Sequence, residues 1–243
     1  MDIGIESDVN IGIKSSMSNQ PIKALLLGVL LCSLALQSQA SQLAERAFEL
    51  YGDKAQFDVY RRDTSIGSHS LTFTQEDGLL RVDVEMALQI RYLALFSYRY
   101  LYQATEWWQD DQLIRLEVSV DDNGTSQMIS ARREGDQLLV ESDEGSRSLE
   151  SGLITTNHWN RAILDQTQVL NTLTGQISEI QVEMLGNDQV PFGDEVVDAM
   201  RYRLGGELID TDTWYDADGR WMGMEFSATD KSRIRLISSG MEQ

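Results

Sequence analysis

The chain has 243 residues, of which 39 are Asp or Glu and 20 are Lys or Arg, so its formal net charge is −19. A surface this acidic repels nucleic-acid phosphates and anionic lipid head groups, which argues against nucleic-acid binding as the function. The single cysteine excludes a framework of intramolecular disulfides.

The first forty residues have the pattern of a secretory signal peptide. Residues 24–36 are uncharged and mostly apolar, Lys23 precedes them, and small residues at Ser38 and Ala40 predict cleavage after Ala40. We assign residues 17–40 to the signal peptide and residues 1–16, which carry three acids, to a non-native or disordered extension. Thirteen apolar residues are too few to span a bilayer, which needs about 20. An uncleaved N-terminal anchor is the alternative.

Removal of the signal peptide leaves a single predicted domain, residues 41–243, in the periplasm or outside the cell. Cys32 follows Val-Leu-Leu rather than a small residue, so we expect it to be discarded with the apolar segment and not lipid-modified. The first forty residues hold two lysines and three acids, which leaves 18 basic and 36 acidic residues and a net charge of −18. The mature chain then has no cysteine for a disulfide, a metal site or a nucleophile.

A short helix opens the mature chain. Residues 43–51 place Leu, Ala, Phe, Leu and Tyr on one side, and Gly52 is positioned to end the helix. A nine-residue helix is marginal in isolation, so we expect it to pack on a sheet.

The most regular pattern lies between Leu80 and Ala104. Every even-numbered position in this stretch is apolar or aromatic and most odd positions are polar, which predicts strand with one buried face. At about 3.3 Å per residue the stretch would span roughly 80 Å, so it must bend or fold into two strands in register. Residues 93–96 are apolar on both faces, and there we expect cover from the helix or from loop residues around Trp159.

Further strands alternate with turn signals through the rest of the chain. Asp77-Gly78 and Asn123-Gly124 are hairpin turns, 142–152 reads as a polar loop, 163–164 as a helical turn, and 190–194 as a connector holding Pro191. The sequence therefore predicts a mainly β domain. We expect one strongly curved antiparallel sheet, an open or half barrel, of about ten strands with a short N-terminal helix.

The aromatic residues of this sheet are the candidate ligand-binding residues. Buried tyrosines need a partner for the hydroxyl, so a row of them suits a half-wet cavity wall, although an aromatic-rich core explains the pattern equally well. The predicted lining consists of Ile90, Tyr92, Phe96, Tyr98, Tyr100, Tyr102 and Trp159. Arg91 and Arg99 fall on the opposite face, where we expect them to pair with surface acids.

Glu106 and His158 form the candidate polar site. An enzyme working through Glu106 or His158 is a third hypothesis, which predicts both side chains in one cleft. His69 and His158 are 89 residues apart and lack metal-binding spacing, so we predict no metal and no cofactor. Nucleophile-elbow and phosphate-loop motifs are also missing from the sequence.

A set of short motifs resembles a bacterial family of exported proteins of unknown function. The motifs are Tyr98-Arg99-Tyr100, Glu106-Trp107, Asn123-Gly124, His158-Trp159-Asn160, Thr174-Gly175, Trp214-Tyr215-Asp216 and Asp218-Gly219-Arg220-Trp221. That family is similar in architecture to the open β-barrels of periplasmic lipoprotein carriers. The resemblance implies a curved sheet that wraps a helix and a hydrophobic ligand class, and it implies no catalytic residue.

Two functions outrank the enzyme hypothesis on these grounds. The first is a non-catalytic periplasmic protein that binds a lipid or another hydrophobic small molecule on the concave face of its sheet. The second is an envelope assembly or protein-interaction module whose sheet is filled by its own side chains. The interior of the sheet, open and apolar or filled, discriminates between them.

Overall fold

The computed structural model describes residues 41–92, 96–208, 210–228 and 230–240, with the backbone alone for Tyr92 and Phe96. The predicted signal peptide, the extension before it and Cys32 lie outside the described residues. So do residues 93–95, where cover on both faces was expected.

Helix α1 (Gln42–Tyr51) begins the described chain, close to its predicted position. The Ser41 side chain accepts a hydrogen bond from the Ala44 amide at 3.1 Å, and the Gly52 amide donates to the Phe48 carbonyl at the other end. Ala44, Ala47, Leu50 and Tyr51 are buried against the sheet. Within the described residues, no helix has the length and hydropathy needed to cross a membrane.

The rest of the described chain is dominated by fourteen strands in one sheet. They are β1 (Lys54–Arg61), β2 (Thr64–Glu76), β3 (Leu79–Tyr92), β4 (Phe96–Gln109), β5 (Gln112–Asp122), β6 (Thr125–Glu134), β7 (Gln137–Ser142), β8 (Gly145–Glu150), β9 (Gln168–Leu170), β10 (Ile177–Phe192), β11 (Glu195–Gly206), β12 (Thr211–Tyr215), β13 (Trp221–Ser227) and β14 (Arg233–Ser238).

The strand order is an antiparallel meander with two further pairings of β14, an antiparallel one with β1 and a single parallel bridge to β10 at Phe192–Ser238. Strands β1 to β8 neighbour one another in sequence order, as do β9 to β14, and β1 pairs with β14 to join the two arms. Strands β8 and β9 are the two ends of the sheet. The prediction of one antiparallel sheet with one helix is therefore confirmed.

The predicted strand count of about ten is wrong, because the described residues contain fourteen strands. Residues 142–152, predicted as a polar loop, contain strand β8, which pairs on one side only, with β7. An end strand with exposed side chains has no need of alternating apolar residues, so its sequence resembles a loop. Strand β10 likewise continues through Pro191, predicted as a connector, and ends one residue later.

Strands β3 and β4 form the in-register hairpin expected from the even-numbered apolar positions. Leu80 lies opposite Trp108, Val84 opposite Ala104 and Ile90 opposite Tyr98, so even positions meet even positions throughout. One face of the hairpin therefore carries all of the even-numbered side chains. We call this the inner face, because its buried residues belong to the main core.

Residues 151–167 connect β8 to β9 and contribute to the same core. Ile154, Trp159 and Ile163 of this β8–β9 connection are buried, and residues 161–165 form a short 3-10 helix where a helical turn was predicted. Beyond β9, Gly175 lies in a turn that packs closely on the side chains of Ile129 and Val140. A Cβ atom added at Gly175 would lie 3.2 Å from each of them. The connection and this turn thus fill part of the space over the inner face.

Candidate functional site

Glu106 is the centre of a buried polar cluster. It lies on β4 with its side chain on the inner face, and its exposure is 0%. Oε2 accepts from the indole N–H groups of Trp108 at 3.0 Å and Trp159 at 2.9 Å. Oε1 accepts from the Thr155 hydroxyl at 2.7 Å and the Asn157 amide at 2.6 Å. All four donors point at one carboxylate, and three of them come from the β8–β9 connection.

Two tyrosines hold the backbone of the same connection. The Tyr51 hydroxyl donates to the Trp159 carbonyl at 2.8 Å and accepts from the Trp221 amide at 2.9 Å. The Tyr215 hydroxyl donates to the His158 carbonyl at 2.8 Å. Helix α1, strand β12 and strand β13 therefore meet at residues 158–159.

Two buried histidines lie around Trp221 beside this cluster. His158 stacks on the indole with ring centroids 5.7 Å apart, and His69 meets it edge-on at 5.6 Å. Within the described chain, neither Nδ1 atom has a hydrogen-bond partner. Burial lowers the pKa of His158 to about 4, and burial together with His158 lowers the pKa of His69 to about 3.

The cluster suits a structural tie better than catalysis. Burial raises the pKa of Glu106, and its four donors oppose that rise while occupying both oxygens. Glu106 and His158 are buried, and neither lines any of the three clefts found among the described residues. The cleft that the enzyme hypothesis requires is thus not formed by these two side chains. In the same residues no three His, Cys, Asp or Glu side chains group as metal ligands.

The inner face of the β3–β4 hairpin changes character along its length. Near the Leu80–Trp108 end, Val82, Val84, Tyr102 and Ala104 are buried. Toward the other end the even-numbered side chains are half-buried, and these are Met86, Leu88, Ile90, Tyr98 and Tyr100. Apolar side chains are thus left partly uncovered at the distal end of the hairpin.

The distal end is also where a cleft of about 420 Å³ opens. Ile66, Leu88 and Tyr100 supply apolar lining together with Ala87 and Leu101, and Gln89, Arg99 and Asp121 supply polar groups. The cleft therefore includes odd-numbered residues of the hairpin as well as even-numbered residues of its inner face. Burial and the nearby Asp122 carboxylate raise the pKa of Tyr98 and of Tyr100 to about 12, so both hydroxyls stay protonated at neutral pH. This region therefore presents a mixed apolar and polar surface to the solvent.

The predicted ligand residues fall into two separate groups. Tyr102 and Trp159 belong to the buried cluster, where the Tyr102 hydroxyl lies 2.9 Å from Thr172 and 3.1 Å from Asn157. Ile90, Tyr98 and Tyr100 belong to the half-buried distal end, while the side chains of Tyr92 and Phe96 lie outside the described residues.

Sequence reasoning misjudged two features of this region. Thr155 and Asn157 were not singled out as partners of Glu106, although they alternate with Trp159 in the sequence. Arg91 and Arg99 were expected to pair with surface acids, but no carboxylate of the described chain forms an ion pair with either one. The run without acids around them is the signal that could have revealed this.

The fold and the buried cluster define a single-sheet, mainly β protein. The model of a domain of unknown function, DUF6134, matches residues 57–238, so the chain belongs to that family. No curated protein matches the sequence.

A solved structure supports the barrel-like architecture. The chain is similar to a beta-barrel-like protein of the domain of unknown function DUF1849 from Brucella abortus, with a TM-score of 0.56 and 11% sequence identity. The similarity covers 77% of this chain and 95% of the other. At this identity it concerns the fold alone.

Proposed function

We propose that the protein is an exported, non-catalytic protein that binds a lipid or another hydrophobic ligand on the open distal part of a concave sheet. The observation that carries the proposal is the loss of cover along the inner face, from buried Val82 and Val84 to half-buried Leu88 and Ile90. The signal-peptide pattern supports export to the periplasm or beyond.

The chemistry of the distal end suits an acyl chain. Covering apolar surface stabilises a complex by about 25 cal/mol per Å², so a flexible hydrocarbon needs no dedicated polar contact. The half-buried side chains of Leu88 and Ile90 supply such surface, and the protonated hydroxyls of Tyr98 and Tyr100 can bond to an ester or a head group. An open or half-barrel curvature would place these groups on one wall.

An envelope assembly module is the second candidate. The packing of Trp159 and Ile163 in the core favours it, because that part of the interior is filled by the protein's own chain. The two proposals differ in ligand: the first expects a bound lipid at the distal end and the second expects none.

Ligand binding is tested with the mature chain purified from the periplasm. Native mass spectrometry should detect a co-purified lipid, and titration with lysophosphatidylcholine should show saturable binding. Ile90→Glu places a charge on the inner face and should weaken binding at least tenfold. The control Gln109→Glu adds the same charge at an exposed position at the other end of β4, outside the cleft, and should leave binding within twofold. Absence of co-purified lipid together with absence of binding would overturn the proposal.

A further inference from the structure

The distal end of the β3–β4 hairpin projects beyond the rest of the sheet. Strand β3 pairs with β2 as far as Leu88, and β4 pairs with β5 as far as Tyr100. Beyond these residues, β3 and β4 of the described chain pair as strands only with each other, through the pairs from Gln89–Arg99 to Tyr92–Phe96. One further backbone hydrogen bond, from the Asn123 amide to the Arg99 carbonyl at 2.8 Å, holds the base of this segment. We call Gln89–Tyr92 with Phe96–Arg99 the projecting ribbon. A lone two-stranded ribbon is marginally stable in water and gains from a partner.

The ribbon is chemically unlike the rest of the protein. The twenty residues 86–105 contain no Asp or Glu, whereas 36 of the 203 residues from Ser41 onward are acidic. The run contains two arginines, Arg91 and Arg99, and four of the chain's eight tyrosines. The ribbon is thus a local cationic and aromatic region in an acidic protein.

Both ribbon arginines are exposed and available for a partner. Eleven other arginines of the described chain lie within 4.0 Å of a carboxylate oxygen. Arg91 and Arg99 form no such pair with the described acids. An exposed, unpaired guanidinium is free to bind a phosphate in bidentate geometry.

The repulsion between the acidic body and an anionic surface weakens toward the outermost pair of the ribbon, and of the two arginines Arg91 lies farther out than Arg99, which is beside Asp121. Four residue pairs at about 3.3 Å each extend roughly 13 Å. The Debye length at physiological ionic strength is about 8 Å, so the body's charge is largely screened over that distance. Each arginine near an anionic bilayer adds to the attraction.

We propose that the projecting ribbon docks onto the surface of an anionic lipid bilayer. Arg91 and Arg99 on one face bind lipid phosphates, while Ile90 and Tyr98 on the other face enter the boundary between head groups and acyl chains. Tyrosine is enriched at that depth, because its ring is apolar and its hydroxyl reaches water. Ile90 and Tyr98 also belong to the acyl surface proposed above, whereas Arg91 and Arg99 do not, so variants of the two arginines test docking by itself.

Vesicle flotation with the mature chain tests the docking. Wild-type protein should float with vesicles of phosphatidylcholine and phosphatidylglycerol at 3:1, bind at least tenfold less to pure phosphatidylcholine, and dissociate as salt rises. Arg91→Glu/Arg99→Glu should abolish binding. The control Arg132→Glu/Arg133→Glu changes the net charge equally on strand β6 and should retain binding within twofold. Circular dichroism checks that both variants fold.

The outcomes separate the two proposals. If the wild type does not float, or both double variants lose binding equally, the docking proposal is overturned, and a protein partner for the ribbon becomes the alternative. Lysophosphatidylcholine titration of the same proteins reports on acyl binding alone. If the protein binds lysophosphatidylcholine but does not float with anionic vesicles, only the docking proposal is overturned. If it floats with the vesicles but does not bind lysophosphatidylcholine, only the ligand proposal is overturned.

Discussion

The carboxylate of Glu106 and the indole N–H of Trp159 are joined by a buried hydrogen bond of 2.9 Å across 53 residues of sequence. This bond ties strand β4 to the β8–β9 connection. Trp159 also meets Trp108 edge-to-face at a centroid distance of 5.7 Å. The tie therefore combines a charged acceptor with aromatic packing, and both are fully removed from water.

Replacing Glu106 with Gln should destabilise the fold by about 2–4 kcal/mol. The amide has one acceptor oxygen and places an N–H₂ group against donors, so at least one buried donor loses its partner. Urea unfolding followed by tryptophan fluorescence measures the change. The exposed Glu85→Gln on the neighbouring strand is the control and should change stability by less than about 0.5 kcal/mol. Equal values for the two variants would contradict the structural tie.

Replacing Tyr51 with Phe should cost about 1–3 kcal/mol of unfolding free energy. The hydroxyl serves two buried backbone groups, the Trp159 carbonyl and the Trp221 amide, and its removal leaves both unsatisfied. Tyr60→Phe, at a half-buried position on β1, is the matched control and should be close to neutral. The prediction fails if thermal and urea unfolding do not distinguish the two variants.

Stability should rise with pH between about 4.5 and 6.5 because of His69 and His158. Both histidines have lowered pKa values in the folded state, so protons bind the unfolded chain preferentially. The stability that the two neutral histidines contribute is fully present above pH 6.5. It is lost as pH falls toward about 4 for His158 and about 3 for His69. The expected slope is about 1.4 kcal/mol per pH unit for each histidine.

The raised pKa of Glu106 acts with the opposite sign. The folded protein binds that proton more readily than the unfolded chain does, so this contribution lowers stability as pH rises. Urea unfolding at several pH values should show a net rise that becomes flatter in His69→Phe/His158→Phe. An unchanged slope in the double variant would exclude these histidines as its source.

Gly67→Ala should destabilise the fold by about 2 kcal/mol or more. The φ angle of Gly67 is +155°, and an added Cβ would lie 1.9 Å from the Ala87 carbonyl oxygen of the adjoining strand. Backbone atoms cannot yield as a side chain can, so β2 and β3 would separate locally. Gly78→Ala is the control, with positive φ but open space, and should cost about 1 kcal/mol. Equal losses of unfolding free energy in the two variants would show that the positive φ angle alone, and not the contact with Ala87, causes the destabilisation.

The sequence predicts local features of the fold better than it predicts the site. The alternation of apolar and polar residues at 80–104 identifies the hairpin and its inner face. It does so because successive side chains of a strand point to opposite faces, and burial of one face alone produces the pattern. The partners of Glu106 could not be predicted, since Thr155 and Asn157 approach it only after the β8–β9 connection crosses the sheet. Strand β8 was missed because an exposed end strand lacks the apolar period. The unpaired state of Arg91 and Arg99 could have been inferred from the run 86–105, which contains no Asp or Glu.

The pairing of β1 with β14 has a consequence for the order in which the protein can assemble. Phe57 lies opposite Ser238, so β1 can pair with its second neighbouring strand only after nearly the whole chain has been synthesised. Closing so long a loop is entropically costly and slows folding. A chain truncated before Arg233 would leave the edges of β1 and β13 unprotected together, and aggregation rather than partial activity is the expected fate of such a fragment.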